Sequence, residues 1–287
     1  MIMHRIKSFD ISYYPGCSMA TTAQESNLSL LEMFNKIGFN LIELEDWNCC
    51  GSTSAHSIDS ELALDLAVRN LFLAPPDRPL LVACPNCILR LRYAHLVLKK
   101  NELKRRKYEN EWGTSYNTDL NILHFFDLLE NINLLHFSDK GIKKLQGLRF
   151  VSYYGCMLSR PNALQYEKDY YGLMEKILRS LGGEALSWPF KSRCCGTFLS
   201  VAKPDIITPI VNKIIQGAMD AGADCIVTAC AMCHLNLEVR CSLKNPVPTI
   251  HFSELLSLAL GDSKYESWFP RHLVDPRPML KSKGLIR

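Results

Sequence analysis

The sequence predicts an α/β protein made of two like halves, each built on a mostly parallel sheet. Three observations carry this. The cysteines fall into two sets of five that follow one grammar. Strand and helix signals alternate along both halves. The first cysteine of each set, and the first of each CxxC, stand at the ends of predicted strands.

The grammar comes first, because a repeat changes how the rest is read. One set runs Cys17, 31 residues, Cys49-Cys50-Gly51, 32 residues, Cys84-x-x-Cys87. The other runs Cys156, 37 residues, Cys194-Cys195-Gly196, 33 residues, Cys230-x-x-Cys233. The flanks agree as well. Ser12-Tyr13-Tyr14-Pro15-Gly16-Cys17 matches Ser152-Tyr153-Tyr154-Gly155-Cys156 with one residue dropped, and Leu81-Val82-Ala83-Cys84 matches Val227-Thr228-Ala229-Cys230. His124-Phe125-x-x-Leu128-Leu129 recurs as His251-Phe252-x-x-Leu255-Leu256. The halves meet near residues 140–148, giving expected domains of 1–145 and 146–287.

In chain order, apolar Phe9 to Tyr14 reads as a strand that delivers Cys17. Leu28, Leu31, Phe34 and Ile37 then recur at helical spacing until Gly38. Phe39 to Leu44 reads as a strand before the Cys-Cys-Gly turn, Leu62 to Leu73 as a helix, and Pro79 to Ala83 as a strand ending at Cys84. The second half repeats the order with strand Arg149 to Tyr154, a helix through Leu181, a helix near Ile206 to Met219, and strand Cys225 to Ala229. Each half is thus expected to be Rossmann-like. In such sheets ligands gather outside the carboxyl ends of the strands, so cysteines thirty-odd residues apart converge on one edge. No GxGxxG or Walker-type loop is present, and the α/β pattern is not read as nucleotide binding.

Composition narrows the chemistry. Hydrophobic residues make up 47% of the 287-residue chain, enough for its own core, so twelve cysteines are not needed as disulfide staples. No apolar run reaches the roughly 18 residues of a membrane span. Met1 to Ile11 carries His4, Arg5, Lys7 and Asp10 and does not resemble a secretory signal. The expectation is a cytoplasmic protein without membrane insertion, where clustered thiols are metal ligands. A net charge of +4 makes no case for nucleic acid. Thiolates suit zinc, copper(I) and iron–sulfur clusters. Structural zinc and a cubane [4Fe–4S] cluster each need four ligands, and each half offers five. That leaves an unusual cluster, or a cubane with a spare thiol.

On these residues the chain resembles the family of B-type subunits of heterodisulfide reductase, with its duplicated cysteine-rich CCG domain. The resemblance spans almost the whole chain, to Ala259-Leu260-Gly261, although the intervals before each CxxC are slightly short of the family pattern. It implies two non-cubane [4Fe–4S] clusters, one on Cys17, Cys49, Cys50, Cys84 and Cys87, the other on Cys156, Cys194, Cys195, Cys230 and Cys233. It also implies an oxidoreductase subunit that cleaves, or forms, a small-molecule or protein disulfide between the clusters by one-electron steps. The sequence has no C-x2-C-x2-C ferredoxin run, so electrons enter from partners. The family implies a small C-like subunit with cubane clusters and an A-like FAD subunit. The competing reading is an electron-transfer module of a complex in organic-acid, benzoyl-CoA or sulfur metabolism, without a substrate of its own.

Other residues get plainer readings. Cys225 and Cys241 lie outside the repeat and read as core residues. His124 and His251 read as helix starts, while His56 and His234 lie nearer the cysteines and are the better proton-donor candidates. The run Lys99, Lys100, Lys104, Arg105, Arg106, Lys107 reads as a solvated helix face, with docking of an acidic partner as the sharper alternative. Arg160, Lys191, Arg193 and Lys203 flank the second set and are candidates to anchor an anionic substrate.

Overall fold

The structure is a computed structural model, and it describes residues 9–52, 55–130, 132, 145–159 and 169–287. The expected junction near 140–148 falls largely outside them, as does Arg160.

The first half runs β1 (Phe9–Tyr14), α1 (Cys17–Ala20), α2 (Gln24–Lys36), β2 (Phe39–Glu43), α3 (Ala55–Ile58), α4 (Ser60–Leu73), β3 (Leu80–Val82), α5 (Pro85–Lys100), α6 (Glu102–Trp112), β4 (Ile122–Leu123) and α7 (Phe125–Leu129). The second runs β5 (Arg149–Tyr153), α8 (Gly155–Ser159), α9 (Leu173–Ser180), β6 (Glu184–Ala185), α10 (Pro204–Asp220), β7 (Cys225–Thr228), α11 (Ala231–Arg240), β8 (Thr249–His251), α12 (Phe252–Ala259) and α13 (Arg277–Ser282). Each half forms a four-stranded sheet, ordered β2-β1-β3-β4 in one and β6-β5-β7-β8 in the other. Every pairing is parallel. The α/β class and the duplication are therefore as the sequence predicts. Parallel neighbours need long crossovers, which is why helices separate the strands. Central strands are covered on both faces and read as continuous apolar runs: β3 is Leu80-Leu81-Val82, wholly buried.

Element ends follow local chemistry. The Asp59 carboxylate accepts from Glu61 N at 2.7 Å and Leu62 N at 3.2 Å, starting α4. Pro85 opens α5, where a missing N–H costs nothing. The short outer strands β4, β6 and β8 give no sequence signal, because two or three residues cannot display alternation.

Two expectations need correction. The strand registers put Tyr14 opposite Val82 and Tyr153 opposite Thr228, in each case two residues before the CxxC. Tyr14 thus corresponds to Tyr153 and Pro15 to Tyr154. No residue is dropped, and the tyrosine pairs of the two halves are offset by one place. Helix α2 exists, but its buried stripe is Glu25, Ser26, Ser29, Leu30, Met33 and Phe34, while Leu28 and Leu31 are only half-buried. Small polar residues take the inner face because Ser29 Oγ meets Ser253 Oγ of α12 at 2.7 Å.

Contacts divide the described residues into two compact units, one of 9–17, 38–52 and 55–129, the other containing 18–37, 145–159 and 169–287. Helix α2 thus packs with the second sheet, on α12, and packing unit and sequence half part company there.

Candidate iron–sulfur sites

Each cysteine set is assembled at the carboxyl edge of its sheet. Cys17 follows β1, Cys49 and Cys50 lie beyond β2, Cys84 follows β3 at the N-cap of α5, and Cys87 sits in that helix's first turn. Cys17 and Cys49 sulfurs are 3.7 Å apart, and Cys50 and Cys87 sulfurs 3.1 Å. Cys50 also bonds Cys49, and Cys84 bonds Cys87, so all five thiols form one connected group. In the second half Cys195 and Cys233 sulfurs are 3.6 Å apart, Cys230 bonds Cys233, and Cys156 bonds Cys194. Backbone donors are aimed at these sulfurs: Gly196 N–H to Cys194 and Cys233 N–H to Cys230, both at 3.4 Å.

Two devices bring the loops this close. Gly16 and Gly155 take φ of +74° and +65°, and a Cβ at either would lie 3.0 Å from the sulfur of Cys87 or Cys233. The Tyr14 hydroxyl donates to Asn48 O at 2.8 Å and the Tyr153 hydroxyl to Arg193 O at 2.5 Å, fixing the residue ahead of each cysteine pair.

None of the ten is joined in a disulfide, and the sulfur–sulfur separations are far longer than the roughly 2.0 Å of such a bond. Three in each set are buried: Cys50, Cys84 and Cys87, and Cys195, Cys230 and Cys233. Cys17 is exposed, and Cys49, Cys156 and Cys194 are half-buried, so each site has one open side. Hydrogen bonds from Cys49 and Cys87 draw Cys50 down to about 5, while Cys87, giving such bonds to its neighbours, is pushed well above its usual value. Cys195 is likewise lowered by Cys233, and Cys233 raised. Crowded thiolates repel, so five can ionise together only around cationic iron or a like centre. Number, softness and convergence of these donors fit an iron–sulfur cluster in each half.

Other candidates resolve differently. His251 caps α12, its ring accepting from Ser253 N while Glu254 accepts from His251 N at 2.6 Å. His124 repeats this at α7, with Asp127 accepting from its backbone N at 2.8 Å, and burial holds its ring neutral, down to about 3. Both are structural. Cys225 lies fully buried in β7, and Cys241 packs beside the core at the end of α11. His56 is exposed on α3. Four of the six residues in the basic run pair with acids: Lys99 with Asp119, Lys104 with Glu61, Arg105 with Glu109 and Arg106 with Glu102. Lys191 is tied to Glu175 at 2.6 Å, whereas Arg193 and Lys203 are exposed.

His234, one residue past Cys233, is buried within a network that sequence reasoning missed. It joins Glu238, His272, Glu254 and Glu25. Burial disfavours a charged His272, yet Glu254 and Glu238 outweigh it and hold the ring up to about 11. The spacing of His234 and Glu238, one helical turn apart, is the signal available in the sequence. His272 carries none.

The profile of the CCG family, described as a cysteine-rich domain, matches residues 11–92 and 150–238, covering one cysteine set each. The chain belongs to the CCG cysteine-rich domain family. It is 28% identical to the 8-methylmenaquinol:fumarate reductase membrane anchor subunit of Wolinella succinogenes, over 93% of this chain and 97% of that one. It is 25% identical to the B-type subunit of the ferredoxin/F(420)H(2)-dependent CoB-CoM heterodisulfide reductase of Methanosarcina acetivorans, over 88% and 87%. A solved structure of a hypothetical protein from Helicobacter pylori superposes with a TM-score of 0.72 at 14% identity, over 93% of this chain and 52% of that one, and shows the shared fold. Among the described residues of this CCG protein, no helix is long and apolar enough to cross a membrane.

Proposed function

We propose that this chain is the iron–sulfur subunit of an oxidoreductase complex acting on a thiol/disulfide pair, with one non-cubane [4Fe–4S] cluster on each cysteine set. The observation that carries the proposal is the convergence of five thiols in each half, none in a disulfide, each group with one open side. Relatives named as heterodisulfide reductase subunits support a redox role within a complex. Bound there, such clusters supply single electrons and Lewis-acidic iron toward substrate sulfur. The chain's own residues hold and shape the site. Buried Cys50, Cys84, Cys87, Cys195, Cys230 and Cys233 keep water from the inner side, and the N–H groups of Gly196 and Cys233 temper charge on the ligand sulfurs. The exposed side at Cys17 and the half-open side at Cys156 and Cys194 are where substrate sulfur approaches. Electrons come from a small cubane-cluster subunit and an FAD subunit.

A second reading, an electron-transfer module without its own substrate, is favoured by the fumarate reductase relative, which matches at slightly higher identity over nearly its full length. Anaerobic purification with iron and sulfide counting, then electron paramagnetic resonance with and without added thiol, separates the two. About eight irons per chain and a thiol-sensitive signal are expected. The same iron without any thiol response would establish the relay instead, and a chain that takes up only zinc would end both readings.

A further inference from the structure

We propose that His234 Nε2, Glu238 Oε1 and His272 Nδ1 bind one divalent ion of the zinc class, in a buried site separate from the ten-cysteine sites.

The distances from His234 are longer than a plain hydrogen-bonded cluster prefers. His234 Nε2 lies 3.4 Å from His272 Nδ1 and 3.5 Å from Glu238 Oε1, and the latter two atoms are 3.0 Å apart. A hydrogen bond donated by a ring nitrogen prefers about 2.7–3.2 Å, and both separations from His234 exceed that. Ligands about 2.0–2.1 Å from a tetrahedral zinc ion lie about 3.3–3.4 Å from one another, so the three atoms already form close to one face of that tetrahedron. His234 and Glu238 reach the same point because they stand one turn apart on α11.

The outer groups fit as well. A metal-bound histidine commonly gives its other ring N–H to a carboxylate. His272 Nε2 faces Glu254 Oε1 at 2.7 Å, and His234 Nδ1 faces Glu25 Oε1 at 3.5 Å and Ser26 Oγ at 3.4 Å. The ion takes the place of the proton on His272 Nδ1, which leaves to solvent, and two neutral imidazoles with Glu238 and Glu254 then balance its double charge. The first half carries its cation as a side chain. Its positions equivalent to Glu238 and Glu254 are Arg92 and Asp127, which pair directly at 2.8 Å, whereas the second half carries two acids. Such an ion would fasten α11, the helix that bears Cys233, to the segment that bears His272.

The test uses anaerobically purified protein with its iron complement in place, so that the cysteines are occupied. Incubation with zinc followed by gel filtration should leave one zinc per chain beyond the iron. His272→Ala and Glu238→Ala should each lower zinc affinity at least tenfold with iron unchanged. Cobalt(II) in the same place should give tetrahedral ligand-field bands without thiolate charge transfer. X-ray absorption on the wild-type zinc form, which does not depend on any variant folding, should show nitrogen and oxygen at about 2.0–2.1 Å and no sulfur at about 2.3 Å. Iron-replete protein that retains no zinc or cobalt, zinc held by sulfur, or zinc retained in both variants would overturn the site. His272 would then be a protonated bridge between Glu238 and Glu254.

Discussion

Arg92 and Glu238 stand at the same place in the two halves, five residues beyond the last cysteine of each CxxC, on the helix that the motif opens. Arg92 meets its burial with one carbonyl and one acid. Its guanidinium donates to Ile122 O at 2.9 Å and pairs with Asp127 at 2.8 Å, both side chains nearly inaccessible. Glu238 cannot do so, because its opposite number Glu254 carries the same charge, and it draws in His234 and His272. The cysteine geometry ahead of both helices is nevertheless alike. The duplication has kept what holds the sulfurs and let the bracing behind them diverge, since a buried charge can be compensated in several ways.

The comparison breaks most decisively at the cysteines. Cys195→Ser should remove about half of the iron and abolish thiol turnover, and Cys50→Ser should do the same from the first half. Cys225→Ser, outside both sets, should change neither; undiminished turnover in the Cys195 variant would sink the two-site reading. Next in size is Arg92→Leu. Leaving Asp127 buried without its partner should cost about 3–5 kcal/mol in urea unfolding. A loss below about 1 kcal/mol would mean that the two braces are not comparable in strength.

Gly155→Ala and Gly16→Ala should act alike, each by about 1–3 kcal/mol from a strained positive φ and by displacing one sulfur. Iron analysis should find each loss confined to its own half, and a clear inequality would show that one site tolerates a looser approach. The smallest effect concerns acid. Burial raises the Glu175 carboxyl, but hydrogen bonds from Lys191 and Tyr154 outweigh it and hold the group below its usual 4.5. A lowered carboxyl stabilises the fold above its ordinary value, and that contribution fades as pH falls through the folded value. Tyr154 has Pro15 as its counterpart, so the first half lacks this link. Hydrogen exchange should therefore rise at β5 and α9 before it rises at β1 and β3 as pH drops below about 4.5, and Glu175→Gln should erase the difference.

Much of this was legible in the chain itself. The halves, the alternation of strand and helix, and the edge where the cysteines meet follow from order and spacing, because a parallel β-α unit returns the chain to the same side whatever lies between. The alignment of Tyr14 with Tyr153 was not legible, since Ser-Tyr-Tyr can slide by one place and only the register with Val82 and Thr228 fixes it. The inner face of α2 was hidden for a related reason: leucines mark the stripe in sequence, but contact with Ser253 selects the serine side.

The sequence by itself determined the duplication, the fold class and the two sets of five thiols, all of which are written in local spacing. Tertiary structure alone decided that α2 packs with the second sheet, and that Glu25, Glu238, Glu254 and His272 surround one point. Those residues come from four separate stretches of chain, and a contact between distant stretches leaves no period in the sequence to find.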